Sequence, residues 1–272
     1  MNKPSQKKRI LLTGDDGYNS VGTRLLIRAL KDSYDLQIAA TLHQQSGVGR
    51  KLSLKTGGEW GEDIVDGVPA LWVDGTPCDV MECSQGFFEE PFDLLISGIN
   101  LGPNASTAVI SSGTYSAAVR GLGAGIAPRA VAISWDLPSE FWLQMHDGQT
   151  DITPFFAYPG DVLKSLFDTI LANDLWGVSL LNINLPHTPT KVVRLTKILK
   201  DITKYFRYPI TVDPKTHRYS YQGEPFDIQE TDLRYDVAAI EQGFISISPC
   251  AFEMTHFSTF EKLKSEVLLL DA

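Results

Sequence analysis

The stretch Arg9-Ile10-Leu11-Leu12-Thr13-Gly14-Asp15-Asp16-Gly17 decides the fold class. Four apolar or β-branched residues follow Arg9 without polar alternation, the pattern of a buried strand, and the chain then meets Gly-Asp-Asp-Gly, which is turn chemistry. Past the turn, Val21, Leu25, Leu26, Ala29 and Leu30 recur at helical spacing, with Asn19 or Ser20 placed to cap the helix. Strand, turn and helix in that order open an α/β chain built on a mostly parallel sheet flanked by helices.

The same alternation continues outward. Further strands are expected at residues 36–40, 52–55, 70–73, 93–97, 130–134 and 178–184, with a hairpin across the glycine-rich stretch between the second and third of these. Thr76-Pro77 opens a helix as cap and first helical residue, and residues 114–122 and 161–172 supply two more. Residues 137–159 carry Pro and aromatics without a period and read as an ordered surface excursion. Residues 201–230 are rich in Tyr, Pro, Thr and Asp, with Asp213-Pro214-Lys215 as a turn between two extended arms that lack a core of their own. Such a β-hairpin extension must pack on the main domain or on another subunit, and an oligomerisation role is expected. The expected division is a catalytic domain over 1–198, the extension over 199–230, and a segment over 231–272 that returns to the core or to a neighbouring subunit.

Composition narrows the function. With 272 residues and 43% hydrophobic content the chain can bury a sizeable core. A net charge of -9 and a pI near 5.0 argue against a nucleic-acid duplex as partner, because such proteins neutralise phosphates with a basic surface. A single small phosphate is compatible with an acidic protein, since one cation or one helix end can hold it. The basic start, residues 1–9, runs straight into a strand without a secretory apolar region, and no apolar run approaches membrane-spanning length. Cys78, Cys83 and Cys250 are odd in number and sparse, as expected of reduced thiols in a cytoplasmic protein.

Ligands of open parallel sheets sit at the carboxyl ends of the strands. Three loops stand there: Gly14-Asp15-Asp16-Gly17, Gln45-Ser46-Gly47, and Ser97-Gly98-Ile99-Asn100-Leu101-Gly102-Pro103-Asn104. Two adjacent carboxylates repel by roughly 3–4 kcal/mol at contact distance in an intermediate dielectric. The turn contains no Lys or Arg, so one divalent cation held by Asp15, Asp16, Ser46 and Asn100 is the economical answer. An all-oxygen set suits Mg²⁺ or Mn²⁺ rather than Zn²⁺. Ser111-Ser112-Gly113-Thr114 precedes the small-residue helix, whose N-terminus attracts phosphate. Taken singly, each motif has a plainer reading: an Asx turn at Asp15-Asp16, a turn residue at Asn100 or Asn104, a helix cap at Ser112. The five histidines show no paired metal spacing, and phosphate-loop, dinucleotide and nucleophile-elbow motifs are missing.

Together the three loops resemble the SurE family, the stationary-phase survival proteins that act as 5′/3′-nucleotidases. The resemblance rests on residues 10–18, 45–47 and 97–104, on Ser112-Gly113-Thr114 followed by Ala117-Ala118, and on weaker echoes at 74–77, 181–186, 231–232 and 243–249. It implies a Rossmann-like domain with a swapped C-terminal extension, a homodimer or homotetramer, and one Mg²⁺ or Mn²⁺ per subunit on Asp15, Asp16, Ser46 and Asn100. It also implies that Asn104, Ser112, Gly113 and Thr114 contact the phosphate of a nucleoside monophosphate. Gly14 departs from the pattern, since the family's signature commonly has Asn before the two aspartates. The expected chemistry is in-line attack by a cation-polarised water, with Asp15 as principal ligand and Asp16 orienting or deprotonating the water. A haloacid-dehalogenase-like mechanism would want two aspartates spaced two apart. A non-catalytic nucleotide-binding or assembly protein that retains the pocket is the other alternative.

Overall fold

The computed structural model describes residues 7–205, 210–221 and 228–263. Strand β1 (Arg9–Thr13) sits in the middle of a sheet because its side chains after Arg9 can all be buried. Its neighbours are β2 (Asp35–Thr41), β3 (Trp60–Val65), β4 (Val68–Val73), β5 (Leu94–Leu101), β6 (Ala130–Trp135), β7 (Leu180–Leu185), β8 (Val193–Leu195) and β11 (Ile245–Cys250). Their order is β3-β4-β2-β1-β5-β6-β7-β11-β8. From β4 to β7 every pairing is parallel, while β3 and β11 pair antiparallel with β4 and β7. This is the expected Rossmann-like α/β architecture.

Successive residues of one strand feed opposite cores. Ile10 and Leu12 pack with Ile38, Ile96 and Val131 beneath α1 (Val21–Leu30) and α4 (Asp161–Ala172). Leu11 packs with Ala39, Leu95 and Ala132 beneath α2 (Pro77–Phe87) and α3 (Gly113–Gly123). Each of these three strand residues is at most 1% exposed, so each contributes about 1.5–3 kcal/mol of burial. The small residues of α3 have a steric cause: a Cβ on Gly121 would stand 2.2 Å from Leu95 Cδ2. Local chemistry sets the helix starts. Ser20, of the two caps weighed, accepts the Thr23 N–H at 3.2 Å, and Thr76 forms a reciprocal capping box with Asp79 before Pro77.

Three expectations change. Residues 52–55 form no strand; Leu54 is 87% exposed and has no face to bury. The hairpin lies later, with β3 and β4 joined through Asp66-Gly67, where both residues take positive φ. Residues 97–101 are not a free loop, because β5 runs through them to Leu101 with a break in register between Ser97 and Asn100. A Cβ on Gly98 would lie 2.1 Å from the Ile133 carbonyl oxygen, and φ there is +127°, so only glycine permits this irregular strand.

Residues 137–159 hold short helical turns at Ser139–Phe141 and Thr153–Phe155. Within the expected extension, β9 (Ile210–Asp213) and β10 (Arg218–Tyr221) form an antiparallel pair apart from the main sheet. Residues 206–209 and 222–227 of that extension, and 264–272 of the expected last segment, lie outside the described residues, as do 1–6. In the last segment α5 (Asp236–Glu241) contacts β11 and β7, β11 enters the main sheet between β7 and β8, and α6 (Phe257–Leu263) follows. Among the described residues no helix is long and apolar enough to cross a membrane.

Candidate active site

The chain leaves β1 for β2 and β4 on one side, then returns for β5, β6 and β7 on the other, so strand order reverses between β1 and β5. Crevices at such reversals, outside the carboxyl ends of the strands, are where open α/β sheets bind ligands. Thr13 pairs with Ser97 across that boundary, which sets Asp15 and Asp16 beside the irregular end of β5. Both aspartates are buried.

Hydrogen bonds tie the expected loops together. The Leu101 N–H donates to Asp16 Oδ2 at 2.9 Å, and the Gln44 amide donates to Asp16 Oδ1 at 3.0 Å. The Gln45 N–H donates to the Asp15 carbonyl at 2.7 Å, which brings exposed Ser46 to the same rim. Asn100 donates through Nδ2 to the Gly102 carbonyl at 2.7 Å, which orients its side chain. Distant segments holding Asp15, Asp16, Ser46 and Asn100 therefore meet at one strand end.

The expected phosphate-side residues have additional work. Ser112 caps α3 by accepting the Tyr115 N–H at 3.1 Å, and the Thr114 hydroxyl donates to Asp15 Oδ1 at 2.5 Å. A side chain at Gly113 would run into the same carboxylate. The first N–H groups of α3 have no partner within the helix and lie beside Asp15, as a helix start able to take an anion would. Asn104 is clamped rather than loose: its amide donates to Ser134 Oγ, its N–H to Asn184 Oδ1, and its carbonyl accepts from Asn182 and Asn184.

The electrostatics follow from burial. Desolvation, then the charge of Asp16, raise the Asp15 pKa to about 7, against the Thr114 hydroxyl that lowers it. Asp16 is raised by burial too, opposed by the Leu101 N–H, the Gln44 amide and His146. Burial in turn pushes the His146 imidazole down, against the pull of Asp16 and Asp147. No lysine or arginine among the described residues acts to keep either aspartate ionised. Among the described residues no three His, Cys, Asp or Glu side chains are placed to hold a metal ion together. Two carboxylates short of positive charge, with neutral oxygens around them, fit a hard divalent cation and fit zinc poorly.

Sequence reasoning assigned Gln44, Trp142, His146, Ser134, Asn182 and Asn184 no role in the site, although Asn182 and Asn184 lie in the family echo at 181–186. The last two did carry a signal, because Asn182 and Asn184 alternate within the apolar run of β7 and so share one face. The excursion residues carried none, since their partners are set only by tertiary folding.

The family model described as Survival protein SurE matches residues 10–206. Over 263 residues the chain is 34% identical to a protein of Pelotomaculum thermopropionicum named 5′-nucleotidase SurE, covering 94% of each. A protein of the same name from Archaeoglobus fulgidus is 33% identical, with 93% of this chain and 95% of the relative covered. In three dimensions the chain matches the crystal structure of the SurE protein from Aquifex aeolicus with a TM-score of 0.72 and 25% identity, over 94% of this chain and 98% of that one.

Proposed function

Since the chain belongs to the SurE family, we propose that it is a metal-dependent phosphomonoesterase that hydrolyses nucleoside 5′- and 3′-monophosphates to nucleoside and phosphate. One observation carries the reading: a buried aspartate pair with no lysine or arginine partner among the described residues stands against the N-terminus of α3. The names of the relatives, 5′-nucleotidase, support the substrate class.

Asp15, Asp16, Ser46 and Asn100 would hold one Mg²⁺ or Mn²⁺, which supplies charge neutralisation and a more acidic water when bound. Asp16 is held by one donor on each oxygen, so its remaining lone pairs have a fixed direction in which to orient that water and accept its proton. Asp15 is braced by Thr114 as the principal ligand. The Gly113 and Thr114 N–H groups at the start of α3 and the Ser112 hydroxyl, with Asn104 held by β6 and β7, would face the phosphoryl oxygens and stabilise charge that grows as the ester bond breaks.

The exposed apolar side chains Ile210 and Val212 on the β9–β10 hairpin support a homodimer or homotetramer. Three cysteines outside any disulfide support a reducing, cytoplasmic setting. Phosphate release from a panel of 5′- and 3′-mononucleotides, with Mg²⁺ and Mn²⁺ in parallel, tests the activity. No release from any of them with either ion would overturn it.

A further inference from the structure

The excursion after β6 reaches the aspartate pair. Its Trp142 carbonyl accepts a hydrogen bond from Gln44 Nε2 at 2.5 Å, and the same nitrogen donates to Asp16 Oδ1 at 3.0 Å. An amide nitrogen has two hydrogens. Both are spent, one on the carboxylate and one on the excursion, so the direction of one fixes the other.

The Trp142 ring makes a second link. Its Nε1 donates to the Leu137 carbonyl at 2.6 Å, closing the excursion on itself. Its edge lies on Gly102, where a Cβ would meet Cδ1, Cγ and Nε1 at 2.9, 3.0 and 3.1 Å. Gly102 is the residue whose carbonyl orients Asn100. Residue 142 thus meets the supports of two expected ligand side chains, that of Asp16 through its main-chain carbonyl on Gln44 and that of Asn100 through its ring on Gly102. Arg24 Nη1 holds the far end of the excursion through the Thr150 carbonyl at 2.7 Å, and His146 from the same segment acts on Asp16. A segment kept only for packing has no need to share one amide nitrogen with a buried carboxylate.

We propose that Gln44 and Trp142 are a positioning pair that makes the excursion a working wall of the active site, holding Asp16 and Asn100 in register for the cation. The turnover readout rests on the phosphomonoesterase reading and cation affinity on its metal site; amide exchange in metal-free protein rests on neither. Partners that orient ligands typically carry about 10–100-fold in metal affinity or activity.

The test compares Gln44→Leu, Trp142→Ala, the double variant and a control, Met145→Ala, an exposed side chain on the same segment. Measurements are kcat and KM for p-nitrophenyl phosphate, Mn²⁺ affinity by calorimetry, and hydrogen exchange across residues 137–152 in metal-free protein. Each single variant should lower kcat by about 10–100-fold with KM within about threefold, and weaken Mn²⁺ binding by about tenfold. Gln44→Leu should also speed exchange in the excursion, and the double variant should be no worse than the more severe single, as for two parts of one unit. Met145→Ala should match the wild type. Wild-type kcat and Mn²⁺ affinity in Gln44→Leu, or losses that simply add, would overturn the pair. Should wild-type protein hydrolyse no monoester, the activity reading falls alone and Mn²⁺ affinity with exchange still decides this one. Should Trp142→Ala fail to fold, Gln44→Leu decides by itself.

Discussion

Adding one methyl group at Gly113 should separate the chemistry from the fold. A Cβ there would stand 2.5 Å from Asp15 Oδ2, 2.8 Å from its Cβ and 2.9 Å from its Cγ. An unstrained contact needs about 3.5 Å, so Asp15 must retreat by about 1 Å. It cannot retreat freely, because Thr114 holds the other oxygen and the Gln45 N–H holds the carbonyl. A displacement of that size in a reacting constellation costs about 100-fold in rate, equivalent to about 2.7 kcal/mol of activation free energy. Stability should change less. Overpacking costs about 1–3 kcal/mol, while replacing glycine by alanine in a helix returns up to about 1 kcal/mol. Gly113→Ala should therefore keep a cooperative thermal transition within a few degrees of the wild type while kcat for a nucleoside monophosphate falls about 100-fold. Gly14→Ala is the matched comparison, because its Cβ would meet nothing closer than 3.6 Å from Gly98 N; it should leave both quantities alone. A Gly113→Ala enzyme within threefold of wild-type kcat would refute the placement of Asp15 at the reaction centre.

Asp16→Asn should remove most phosphomonoesterase turnover without unfolding the chain, read as phosphate release beside circular dichroism; a folded, fully active variant with metal present would count decisively against a role for Asp16. Stripping divalent ions with a chelator should abolish activity, and Mg²⁺ or Mn²⁺ should restore it. Because the unliganded Asp15 titrates near 7, a cation must displace its proton; Mn²⁺ affinity should rise from pH 5.5 to 7.5, with proton release seen as a buffer-dependent calorimetric enthalpy. In metal-free protein the same raised pKa favours the protonated fold. Its stabilising contribution is present below the ordinary value of 3.8 and is lost as pH climbs to about 7. The melting temperature of Asp15→Asn should thus gain on the wild type between pH 4.5 and 7.5, a widening gap whose absence would contradict the assignment.

Strand β1 was legible because a double-sided core demands an unbroken apolar run, and the turn after it announced itself in Gly and Asp. The cap at Thr76 and the helix at 161–172 were equally plain, since their signals are local. Strand β3 was not. Its Gly61, Glu62 and Asp63 are poor strand formers on a largely exposed edge, and only backbone pairing with β4 makes them extended. Residues 52–55 show the reverse error, a strand-like composition with no sheet edge to join. At the site, Asp15, Asp16 and Asn100 sit where strand ends put them, whereas Gln44 and Trp142 meet only because a segment without period folds back over the crevice.

The position of β11 bears on how the molecule comes into being. Among the described residues, 245–250 are the last along the chain to join the sheet, yet they fill the slot beside β7, facing Asn182 and Asn184 across the ladder. While the ribosome is still delivering the tail, β7 offers a bare six-residue border of wholly buried character, the kind of template that recruits stray chains. The asparagines that clamp Asn104 gain their outer neighbour only in that final step. A nascent polypeptide halted before Ile245 should therefore be both sticky and inert, and competence should arrive with the closing strand rather than with the aspartates that emerged first.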